Sequence, residues 1–184
     1  MTAQTYTPAQ KALHWALFAL VVLLYGLTFG QDIFQRGDPN RDLIWKLHIS
    51  FGLVLAALIA WRVVLRLVRG VPEHPAGMST LERNAAALAH ALLYALLVTI
   101  PVLGILLTWF RADALSLFGL FTIPSPVAPD RAVARTLREL HSFCANAILI
   151  VAGLHALAAL WHHFIRSDAV LARMLPARRR SRTA

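Results

Sequence analysis

Four stretches of this chain run without a single Asp, Glu, Lys or Arg: residues 12–31, 47–61, 85–110 and 140–165. An α-helix rises about 1.5 Å per residue, so roughly 20 residues cross a hydrocarbon core about 30 Å thick. Three runs reach that length as they stand. The second is short between Lys46 and Arg62, and becomes long enough if Arg62 and Arg66 snorkel and the helix takes in Val63, Val64 and Leu65. The expected spans are therefore 10–31, 43–67, 85–110 and 140–166, with a basic tail at 173–184. Pro101 and Gly104 fall mid-span in the third and are expected to kink it. The fold class that follows is all-α, an integral membrane bundle of four transmembrane helices.

Composition agrees with a lipid setting. Hydrophobic residues make up 58% and charged residues 15%, where soluble domains run near half and a quarter. A net charge of +9 invites comparison with nucleic-acid binders. The basic residues flank the apolar runs and form no separate domain, so no nucleic-acid partner is expected. Eleven of them fall in the N-terminal segment, the second loop and the tail, against seven on the other side, where six of the nine acidic residues lie. The positive-inside rule then puts both termini in the cytoplasm. The first run is longer than a signal-peptide core and shows no small-residue cleavage pattern before Gln31, so it reads as a retained anchor. The lone Cys144 excludes an internal disulfide, a cysteine-ligated cluster and the Cys-x-x-Cys-His attachment of c-type haem.

Eight histidines are present, several within the spans. An ionisable group inside a membrane is costly and points to function. His141 and His155 are 14 residues apart, close to four turns, so both rings leave one face of the fourth helix about 21 Å apart. His48, at the outer end of the second helix, is level with His141. His14 lies about 25 Å below Gln31 along the first helix, level with His155. An isolated membrane histidine is as readily a packed residue as a ligand, but four at matched depths form two pairs. His48 with His141 and His14 with His155 would then be the axial ligands, and so the iron ligands, of two stacked b-type haems. Methionine ligation is excluded because Met1, Met78 and Met174 lie outside the spans. Gly52, Ala145 and Gly153 are candidates for giving the porphyrins room. A zinc or di-metal site fits less well, since no acidic residue lies within a charge-free run.

These residues resemble the bacterial cytochrome b561 family, in particular its compact members described as superoxide:ubiquinone oxidoreductases. The markers are Leu-His-Trp at 13–15, Leu-His at 47–48, the Arg62 and Arg66 pair, and His90 with Ile-Pro-Val-Leu-Gly at 100–104. His141, His155 and the doublet of His162 and His163 complete them. The 14-residue spacing is also similar to that in cytochrome b subunits of membrane formate dehydrogenases and hydrogenases. The resemblance implies the same ligand pairing, two haem b groups, and quinone as electron acceptor.

His162 lies two turns beyond His155, about 10 Å nearer the cytoplasm, where a ubiquinone ring could take a hydrogen bond and protons from it. The blander alternative makes His162 and His163 interfacial anchors beside Trp161. His90 is expected at the start of the third helix as a packing or relay residue, and His74 as an exposed loop residue. Arg131, Arg135 and Arg138 recur at i, i+4 and i+7 ahead of His141. They would form a basic stripe that steers superoxide, or would instead bind haem propionates or lipid phosphates, or pair with Asp130 and Glu139. The apolar stretch 115–123 is expected to cover the outer interface. The leading function is superoxide:quinone oxidoreductase. The rivals are a cytochrome subunit linking a periplasmic dehydrogenase to the quinone pool, and a haem-free transporter using histidines for protons or metal.

Overall fold

A computed structural model describes residues 5–35, 37–73, 75 and 77–175. Arg36, His74 and the tail arginines at 178, 179, 180 and 182 lie outside the described residues. Four helices account for most of the chain: α1 (Pro8–Ile33), α2 (Pro39–Arg69), α3 (Thr80–Phe110) and α4 (Arg131–Phe164). All four are long and apolar enough to cross a membrane, and together they make a transmembrane bundle.

The helices start ahead of the expected spans, α4 nine residues ahead, because each has a capping residue in the polar sequence before its apolar run. Thr7 caps α1 in a reciprocal box with Gln10, with Pro8 in the first turn. Asp38 caps α2 ahead of Pro39. Ser79 and Glu82 form a second box at α3. The carboxylate of Asp130 accepts from the N–H groups of Ala132 (2.8 Å) and Val133 (3.1 Å) at α4. Each side chain satisfies donors that a helix end otherwise leaves bare. A charge-free run therefore measures the hydrocarbon crossing, while the helix continues into the interface. α3 passes unbroken through Pro101.

α1 packs along α2, α3 along α4, and the two pairs meet where α2 touches α3. Leu17, Leu24, Leu55 and Ile59 form the buried seam of the first pair. Outward faces are apolar: Phe18, Val22, Leu92, Val98, Ile150 and Leu157 are all exposed, a surface suited to lipid and far too extensive for water.

Between α3 and α4 the stretch 115–123 folds back as a hairpin, β1 (Leu115–Leu117) and β2 (Phe121–Ile123), antiparallel with Leu115 opposite Ile123. Its turn needs positive φ at two successive positions, which Phe118 (51°) and Gly119 (75°) provide. A phenylalanine there is strained. It is held by its ring against Phe51 (5.1 Å between centres) and by its N–H, which donates to the Ser50 hydroxyl at 2.9 Å. Ser50 is the most deeply buried side chain. Its single proton is shared between the carbonyls of Lys46 (2.8 Å) and Ser116 (3.0 Å). One hydroxyl thus fastens the hairpin over α2.

Candidate functional site

At the hairpin end of the bundle, α2 presents His48 and α4 presents His141. Their ring centres are 6.4 Å apart, with planes at 69°. At the opposite end, α1 presents His14 and α4 His155, again 6.4 Å apart, at 76°. A metal–imidazole bond is about 2 Å and the ring centre lies roughly 1 Å beyond the nitrogen, so two rings sharing one metal stand about 6 Å apart. The 14 residues between His141 and His155 set the tiers about 21 Å apart.

The hairpin-end rings carry a further sign of preparation. His48 Nδ1 lies 3.2 Å from the Leu24 carbonyl and His141 Nδ1 3.0 Å from that of Ile100. A carbonyl only accepts, so each Nδ1 holds the proton and each Nε2 keeps its lone pair. This is how ligating histidines are usually oriented. Trp45 stacks on His48 with planes 6° apart, and Arg111 lies over the Trp45 ring at 5.4 Å. Gly104 lets α3 approach, since a Cβ there would meet His141 Cε1 at 3.2 Å.

The space around this pair suits a flat apolar cofactor. A partly open cavity is lined by His48, His141, Trp45, Gly52, Gly104 and Leu115 among others, mostly apolar walls with a few polar groups, as at cofactor sites. A Cβ added at Gly52 would meet nothing. The indole N–H of Trp45 is buried without a partner, a donor that an anionic group entering the cavity would satisfy. A second, mostly apolar space lies between the tiers, bordered by Leu24, Tyr25, Leu55, Ile100 and Ala145. Donors, room and an orphaned polar atom together fit a porphyrin iron.

The inner tier differs in its surroundings. His90 lies three turns into α3, because that helix begins at Thr80 and not where the charge-free run does. Its ring packs 5.2 Å from His155, and Trp15 packs 5.3 Å from His14. Arg62 and Arg66, expected to snorkel outward, lie over the Tyr94 ring of α3 at 5.9 and 5.3 Å.

Beyond the inner tier, His162 is buried and His163 exposed, so the doublet divides into one inward and one outward ring. His162 Nδ1 donates to Asp168 Oδ2 at 2.5 Å. Asp168 was not visible as a site residue in the sequence, since it lies past the helix end. Burial alone would raise its pKa, but the Val170 N–H and His162 hydrogen bonds, with the charges of His162 and Arg166, hold it below the ordinary aspartate range. Arg166 pairs with Glu82 at 3.1 Å, tying the end of α4 to the start of α3.

Arg131, Arg135 and Arg138 line the first turns of α4, all exposed. None forms an ion pair among the described residues. The pairing expected with Asp130 does not occur, because that carboxylate is spent capping the helix.

A four-helix membrane bundle with two imidazole pairs, one ring of each on α4, has the build of a b-type cytochrome. The prokaryotic cytochrome b561 family matches residues 5–177, and the chain belongs to that family, whose members bind haem b. It is 30% identical over 177 residues, 95% of this chain and 97% of the other, to a protein of Yersinia pestis named probable superoxide oxidase CybB. It is 31% identical over 179 residues to the cytochrome b562 of Cereibacter sphaeroides, covering 94% of this chain and 96% of that one. Cytochrome b561 homolog 1 of Escherichia coli K12 is 27% identical over 174 residues, 95% of this chain and 98% of the other.

Proposed function

We propose that the chain is a di-haem superoxide:quinone oxidoreductase of the bacterial inner membrane, with the hairpin end outside and both termini in the cytoplasm. His48 and His141 would hold the outer haem, His14 and His155 the inner. The observation that carries this reading is the two imidazole pairs, each with ring centres 6.4 Å apart, set along α4. Bound haem supplies a one-electron redox couple that the side chains themselves lack. Two imidazole donors holding one haem would favour electron transfer over oxygen binding.

In the net reaction, two superoxide anions each lose one electron and become two molecules of O₂. One quinone gains those two electrons and two protons and becomes quinol. At the outer mouth, the unpaired charges of Arg131, Arg135 and Arg138 concentrate small anions, and their exposure favours steering over propionate binding. At the inner end, Asp168 accepts a hydrogen bond from the Nδ1–H of His162 and fixes the ring. The Nε2 of that ring, protonated from the cytoplasmic side, then carries the proton offered to a quinone carbonyl oxygen. The name of the Yersinia relative supports superoxide as donor, and the excess of basic residues at the termini supports the orientation.

The test is partner-free turnover. Purified protein supplied with enzymatically generated superoxide and a short-chain ubiquinone is expected to form one quinol per two superoxide consumed. A haem-replete protein that fails to turn over would shift the reading to a cytochrome subunit fed by a periplasmic dehydrogenase. A colourless protein would point to the haem-free transporter.

A further inference from the structure

Among the described residues, two cations sit at the inner tier without an anion to balance them. Arg62 and Arg66 are one turn apart on α2, both half-buried, with their guanidinium carbons 5.9 and 5.3 Å from the centre of one ring, Tyr94. Arg62 also donates from Nη1 to the carbonyl of Gln10 at 3.1 Å. Gln10 is one turn before His14, so this bond holds the guanidinium beside the inner pair, and its charge bears on both His14 and His155. Neither arginine forms an ion pair among the described residues, where the pairs are Arg111 with Asp113, His162 with Asp168, and Arg166 with Glu82. Holding charges near lipid without a counter-ion is expensive, and cation–π contact with one tyrosine offsets only part of that cost. Two planar forks set one turn apart match a pair of carboxylates better than a single point charge.

We propose that Arg62 and Arg66, braced by Tyr94 and Gln10, form a dicationic seat for the two porphyrin carboxylates of the inner haem. The inference rests on the reading of His14 and His155 as that haem's ligands. It assigns the inner carboxylates to α2. A bound haem brings two negative charges to a place near the pair where, among the described residues, two positive charges have no anionic partner.

The experiment is a double-mutant cycle between protein and cofactor. The full-length chain and its Arg62→Gln/Arg66→Gln variant are stripped and reconstituted with native haem, or with haem whose two carboxylates are methyl esters. Inner-tier binding is scored in a His141→Ala background, so that only one equivalent is counted. Wild-type arginines are expected to bind the native haem at least tenfold more tightly than the ester, and the glutamine variant to bind both alike. Equal affinity of the wild type for haem and ester, or the same loss of both in the variant, would overturn the seat. So would a variant that keeps wild-type affinity for native haem. If the double variant does not assemble, Arg66→Gln alone and Arg66→Lys make the same comparison, with lysine expected to recover charge but less than full affinity. A His141→Ala protein that binds no haem at all would instead sink the ligand reading of His14 and His155, which separates the two failures.

Discussion

At the hairpin end each imidazole donates its Nδ1–H to a backbone carbonyl, His48 to that of Leu24 and His141 to that of Ile100. At the other end no such bond to His14 or His155 occurs among the described residues, and the pair is hemmed by Trp15, His90 and the charge of Arg62. Backbone carbonyls in a packed helix hardly move, so the hairpin-end rings are oriented by the fold itself. The inner rings are oriented by side chains, which makes that tier open to tuning and more easily disturbed. The ends also differ in closure: a hairpin pinned by Ser50 roofs one, and the segment after α4 closes the other through His162, Asp168 and Arg166.

The largest expected effect separates the tiers outright. His48→Ala or His141→Ala should halve the haem-to-polypeptide ratio and leave the inner haem spectrum in place; two haems per chain in either variant would dissolve the pairing. Reversing the charges of Arg131, Arg135 and Arg138 should slow haem reduction by superoxide about tenfold at low salt and flatten its salt dependence. Quinone kinetics at the opposite end should stay as they were, and an unchanged superoxide rate would end the steering idea.

Ser50→Ala should cost about 1–3 kcal/mol by leaving the Phe118 N–H unpartnered under the roof. On heating, the outer haem should be released before the inner one, and simultaneous loss would mean that the hairpin does not guard its tier. The smallest effect is an acid response confined to the other end. Because the folded pKa of Asp168 is depressed, its contribution is fully present above the ordinary value of 3.8 and lost as pH falls through the folded value. Faster hydrogen exchange at the Val170 amide in that acid window, absent in Asp168→Asn, is the check.

Much of the bundle was legible because a membrane imposes few solutions. Charge-free length reported the number of crossings, and the 14-residue interval put His141 and His155 on one face. The ends were less legible. Span limits drawn at the nearest charge miss helix turns in the interface, which is why His90 was expected at a helix start and stands beside His155 instead. Arg62 and Arg66 were expected to reach for water, but Tyr94 of another helix draws them together. Asp168 carried no periodic signal, since it meets His162 only after the chain turns back past the end of α4.

Rise per residue is a local property, so the chain alone determined how deep each histidine lies and which sit level. Azimuth and neighbours are not local. They depend on how each helix rotates to bury its seam, Leu17 and Leu24 against Leu55 and Ile59. Tertiary packing therefore decided that level rings face one another at 6.4 Å, that two carbonyls accept their Nδ1–H bonds at one end, and that two arginines meet over Tyr94 at the other.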